Sequence, residues 1–114
     1  MGKRATELLL MRLADLTSRG AEVLLVEDDE EYATVVEFEL TQAGYRVARA
    51  RDGIEALEAA ATRPPDAMVL DLVLPRLDGF GVLETLAIKN ATIPTLVLAS
   101  LDDERLEERL HRLG

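Results

Sequence analysis

The chain has 114 residues, 48% of them hydrophobic and 31% charged, and its 22 acidic and 13 basic side chains give a formal charge of −9. That length fits one domain, the apolar content supports a real core, and the acidic balance argues against a nucleic-acid-binding surface. Apolar runs such as Met68–Leu70 and Leu96–Ala99 fall far short of the ~20 residues of a membrane span, and Glu7 and Arg12 break up any secretory h-region. With no cysteine there are no disulfides or thiolate metal sites. The absence of a signal peptide makes the cytoplasm the default expectation.

The first predicted element is a helix from about Ala5 to Arg19. Leu9, Leu13 and Leu16 recur along one face, and Gly20 supplies a stop. Val23–Val26 is a continuous apolar run, as a strand buried on both faces requires. It ends in the acidic run Glu27–Glu31. A helix over Glu30–Ala43 follows, with Tyr32, Val36, Glu39, Leu40 and Ala43 on one face, acids at its positive end and Gly44 at its C-cap. Tyr45–Ala50 reads as a second strand and Asp52-Gly53 as a turn. Ile54–Thr62 is an alanine-rich helix closed by Pro64-Pro65. Ala67–Leu70 is a third apolar strand ending at Asp71. A loop over Leu72–Asp78 leads through Gly79 into a helix over Phe80–Lys89, with Leu83, Leu86 and Ala87 predicted to face inward. Thr95–Ala99 is a fourth strand, and Asp102-Asp103 opens a last helix carrying Leu106, Leu110 and Leu113. His111, the single histidine, reads as a partly exposed residue of that helix. Tyr32 and Phe80 read as core or rim packing.

Strands separated by single helices imply βαβ units and a parallel sheet. In such sheets polar function gathers at the carboxyl ends of the strands. Strand one ends at Glu27-Asp28 and strand three at Asp71. If the two strands lie side by side, these carboxylates share one small space. They then repel one another unless a cation sits among them, and magnesium is the natural choice. A carboxylate beside that cation is suited to attack a phosphoryl group. The plainer reading is that the acidic run compensates a helix dipole and that Asp71 is a cap or turn residue. The joint pattern is the more specific signal.

The segments Val23–Glu30, Gly44–Val47, Asp52–Leu57, Pro65–Gly79 and Ile93–Leu98 resemble, in order and spacing, the motifs of bacterial response-regulator receiver domains. The likeness covers about residues 21–114, with residues 1–20 left as an N-terminal amphipathic helix. It implies a flavodoxin-like (CheY-like) α/β fold, three layers around a parallel sheet of expected strand order 2-1-3-4. It also implies a phosphoacceptor signalling module rather than an enzyme. By position Asp71 falls on the phosphorylated aspartate. Glu27 and Asp28 fall on the acidic pair that holds Mg²⁺, and Val73 falls on the backbone-carbonyl ligand. Pro75 and Gly79 fall on the loop that shapes the site. The phosphoryl group comes, in the family, from a sensor histidine kinase or a small phosphodonor.

The sequence departs from the family pattern in two places. The Ser or Thr that ends the fourth strand in the family is Ala99 here, with Ser100 one residue later. In an extended strand that step turns a side chain to the other face. The fifth strand and fifth helix, with the lysine that meets the phosphoryl group, are expected to be missing. The N-terminal helix, through Thr6–Leu16, resembles a receiver's fifth helix. It reads either as the tail of a preceding receiver, as a stand-in for the missing helix, or as an ordinary amphipathic extension. Strand four is then an apolar edge, which predicts a homo-oligomer through that edge or through the N-terminal helix. The rival functions are a receiver-like interaction module that is never phosphorylated and a phosphohydrolase. Val73 stands where the latter usually has its second Asp. No Gly-x-Gly-x-x-Gly follows strand one, so dinucleotide binding is set aside.

Overall fold

The computed structural model describes residues 3–72, 74 and 76–98. In chain order the elements are α1 (Lys3–Leu16), β1 (Glu22–Val26), α2 (Glu30–Gln42), β2 (Arg46–Ala50), α3 (Gly53–Thr62), β3 (Ala67–Asp71), α4 (Gly79–Ile88) and β4 (Thr95–Leu98). All strand pairs are parallel and the order is β2-β1-β3-β4, as expected.

Alternation along the strands builds two cores from one sheet. Val23 and Leu25 of β1, with Ala67 and Val69 of β3, point toward α1 and α2. There they meet Leu9, Leu13, Ala33, Val36 and Leu40. Leu24, Val26, Met68 and Leu70 point the other way, onto Ala56, Val82 and Leu86 of α3 and α4. The result is a three-layer sandwich in which Val23–Val26 of β1 and Ala67–Leu70 of β3 are buried on both faces, which is why these runs are apolar without interruption. α1 packs against α2 and β4, and Leu13 is completely buried.

The helix ends follow local chemistry. α1 stops at Leu16 rather than Arg19, because Thr17 and Ser18 enter a turn closed by Ala21 N–H on Ser18 O (3.1 Å). Gly20 follows at φ +84°. α2 ends where Gly44 takes φ +100° and Tyr45 N–H returns to Leu40 O (3.1 Å). In α4 the expectation for Ala87 is corrected: it is exposed, while Val82, Leu86 and Gly79 face the sheet. The i, i+4 pair Val82–Leu86 sets the stripe and leaves Leu83 on its flank.

Among the described strands β4 is an edge, paired only with β3, and Val97 on it is exposed. Ala99, Ser100, the expected last helix and His111 lie outside the described residues, as do Val73 and Pro75. Among the described residues no helix is long and apolar enough to cross a membrane.

Candidate functional site

The register of β1 on β3 decides where the carboxylates go. Val26 pairs with Leu70, so the next residue on each strand, Glu27 and Asp71, emerges at the same edge. Glu27 N–H extends the ladder to Ala50 O of β2 (3.0 Å). One oxygen each from Glu27, Asp28 and Asp71 lies within 4.8 Å of the others. Glu27 is buried, and Asp28 and Asp71 are half-buried.

The acidic run divides its labour. Asp29 is the N-cap of α2, accepting from Tyr32 N–H through Oδ1 (3.1 Å). Glu30 and Glu31 occupy the first helical turn, where the dipole favours them. Glu30 also pairs with Arg49 (3.3 Å) and Arg51 (3.4 Å). Dipole compensation is therefore right for residues 29–31, and the cluster reading applies to 27 and 28.

Electrostatics mark the cluster as strained in charge. Burial pushes the Glu27 carboxyl up to about 8. Asp71 and Asp28 add like-charge repulsion, and the Asp29 amide, 3.1 Å from Glu27 Oε1, acts against it. The Tyr32 phenol is raised too, first by burial and then by Glu27 and Asp71. Tyr32 thus belongs to the rim of the cluster, which apolar periodicity along α2 gave no reason to expect. Three carboxylate oxygens at this spacing suit a hard divalent cation, and ionised ligands are what such a cation demands.

Gly79 is drawn against the same place. A Cβ built there would lie 2.6 Å from Asp71 O and 2.7 Å from Leu72 Cα, so only glycine lets α4 start this close to β3. Asp52 corrects a second expectation. It is not merely a turn residue but the N-cap of α3, accepting from Glu55 N–H through Oδ1 (2.9 Å). Its Oδ2 receives Arg76 Nε (2.9 Å) and Nη2 (2.7 Å) from the loop after β3. The signal for this role was the Asp52-Gly53-x-Glu55 spacing of a capping box. Arg76 had no local signal.

The receiver-domain family model of response regulators matches residues 23–114. The chain belongs to this family. It is 42% identical over 82 residues to the alkaline phosphatase synthesis transcriptional regulatory protein PhoP of Bacillus subtilis, covering 72% of this chain and 34% of that protein. Response regulator MprA of Mycobacterium ulcerans is 42% identical over 80 residues, covering 70% and 34%. The chain thus spans about a third of the length of these curated relatives. Among solved structures, the Francisella response regulator 1452 receiver domain superposes with a TM-score of 0.69 at 31% identity, over 82% of this chain and 75% of that one. The N-terminal domain of a response regulator receiver protein from Methanoculleus marisnigri gives 0.67 at 35%, over 77% and 75%. The fold is the receiver fold, and receiver domains are signalling modules.

Proposed function

We propose that the chain is a phosphoacceptor module of two-component signalling, phosphorylated on Asp71 in a Mg²⁺-dependent reaction. The observation that carries this is the convergence of Glu27, Asp28 and Asp71 from the ends of two adjacent parallel strands. Glu27, Asp28, Asp71 and the Val73 carbonyl would hold the ion. Bound there, Mg²⁺ offsets the charge that otherwise repels an incoming phosphate. Asp71 supplies the nucleophile. One of its carboxylate oxygens attacks phosphorus, and the P–N bond of a phosphohistidine on a sensor kinase breaks, or the P–O bond of a small acyl phosphate. Imidazole or carboxylate leaves with the electron pair. Glu27 and Asp28 orient Asp71, and Pro75 and Gly79 shape the loop beneath it. Ala99, with Ser100 beside it, occupies the position where the family usually offers a hydroxyl. The reading places the chain in the cytoplasm, with residues 1–20 as a helix appended to a receiver over 21–114.

Incubation with acetyl phosphate and Mg²⁺ followed by intact-mass measurement tests this reading. One added phosphoryl group is expected on the wild type, lost in Asp71→Asn and with EDTA. An unmodified wild type would favour the rival reading, a receiver-like interaction module.

A further inference from the structure

The loop that follows Asp71 is gripped at its far side by the N-terminus of α3. Three observations meet there. First, the Arg76 guanidinium reaches Asp52 Oδ2 through two nitrogens, Nε at 2.9 Å and Nη2 at 2.7 Å. Asp52 is only 6% exposed, so the carboxylate end of this pair is shielded. Second, Arg76 takes φ +64°, a left-handed conformation uncommon for a residue other than glycine. Third, α3 and the loop touch through backbone. A Cβ built on Gly53 would lie 1.9 Å from Leu77 O. The near end of the same loop is tied to the phosphoacceptor strand, with Gly79 N–H on Leu72 O (3.0 Å) and Gly79 packed on Asp71 O.

We propose that the Arg76–Asp52 ion pair is a latch that positions the loop after Asp71 for phosphoryl transfer. Both are positioning residues. Asp52 holds α3 through one oxygen and the loop through the other, so the loop's place is set by a helix belonging to a different βα unit. Phosphoryl transfer depends on fixed geometry and preset charge, because the protein contributes mainly orientation. A loop released at Arg76 leaves Asp71 chemically intact but less well oriented. Arg is the suitable residue, since its rigid planar fork aims Nε and Nη2 together at Asp52 Oδ2, whereas a lysine ammonium is a point charge on a flexible stem. Asn at position 52 keeps the cap and loses the ion pair, which separates the two jobs of Asp52.

The latch rests on the reading that Asp71 is phosphorylated, and two readouts on the full chain keep them apart. One is the rate of phosphorylation by acetyl phosphate at saturating Mg²⁺, followed by intact mass, for wild type, Arg76→Gln, Asp52→Asn, the double variant and Arg76→Lys. The other is amide hydrogen exchange over residues 72–82 without metal. Each single substitution is expected to slow phosphorylation about tenfold. The double variant should be no slower than the singles, as for two ends of one interaction, and Arg76→Lys should recover part of the rate. Exchange at Gly79 N–H should rise about tenfold in the singles. If the wild type is phosphorylated and the singles match its rate, or their losses multiply in the double variant, the latch is overturned alone. Unchanged exchange also overturns it alone. A wild type that takes no phosphoryl group overturns the phosphoacceptor reading and the latch with it.

Discussion

A single acid, Asp52, and a cluster of three around Glu27 stand at the carboxyl edge of one sheet in opposite electrostatic conditions. Asp52 has donors for both oxygens, a helix amide and a guanidinium, and its carboxyl is held below the usual range by the Glu55 amide and by Arg76, against burial. Glu27 is also buried but is pushed up to about 8 by that burial and by Asp71 and Asp28. The sequence shows an acid at both places. Each accepts from a backbone amide, and what differs is whether the fold then brings a guanidinium or further carboxylates to meet it. A buried acid supplied with donors fastens the structure together. A buried acid crowded by others stores an unfavourable charge that a cation relieves.

The largest expected effects come from the glycines that bring the backbone close to each group. Gly53→Ala and Gly79→Ala each force backbone apart and are expected to cost about 3 kcal/mol, measured by urea unfolding. Gly79→Ala should also depress phosphorylation, because the displaced backbone is that of Asp71. Equal phosphorylation in a folded Gly79→Ala protein would break the link between α4 and the site.

Next in size is the pH dependence of the metal-free protein. Glu27 has a native pKa above its unfolded value, so its contribution is fully present below pH 4.5 and is lost as pH rises through about 8. In EDTA the melting temperature should fall between pH 5 and pH 8.5. Glu27→Gln should flatten that fall and stand about 5 °C above wild type at the alkaline end, a shift of the order of 1 kcal/mol for a domain of this size. A wild-type curve flat over that range would remove the charge strain assigned to the cluster.

Asp52 should give the smaller effect with the opposite sign. Its native pKa is depressed, so its contribution is present above the unfolded value of 3.8 and is lost as pH falls through the native one. Asp52→Asn should lower the melting temperature by a few degrees near neutrality. That difference should close as pH falls below 3.8. A difference that grows in acid would contradict the pairing with Arg76.

Much of the fold was legible because Val23–Val26 of β1 and Ala67–Leu70 of β3 are apolar throughout and each run is followed at once by a carboxylate, Glu27 or Asp71. Those two facts give a parallel sheet buried on both faces and a site at its edge. The ordered motifs of the receiver family fixed the strand order. What stayed hidden depended on distant contacts. Nothing near Arg76 announces that its partner lies 24 residues away on the cap of α3. Asp52-Gly53 looks like a turn because the same pair of residues serves both purposes. Tyr32 follows the helical stripe of α2, yet its phenol sits where the acids of two strands act on it. The inward face of α4 leaves out Ala87, since Val82 and Leu86 define the stripe only once the helix is docked. The packing of α1 against β4 likewise required the sheet to exist first.

The most direct test of the contrast is thermal unfolding at pH 8 with Mg²⁺ titrated into wild type and Glu27→Gln. Binding to the native state alone at a hundredfold excess over the dissociation constant stabilises by about 2.7 kcal/mol. The account predicts a wild-type melting temperature that climbs with Mg²⁺ toward that gain, and a Glu27→Gln protein that starts higher without metal and climbs little. A wild type indifferent to Mg²⁺, or a Glu27→Gln protein that gains as much as the wild type, would contradict it.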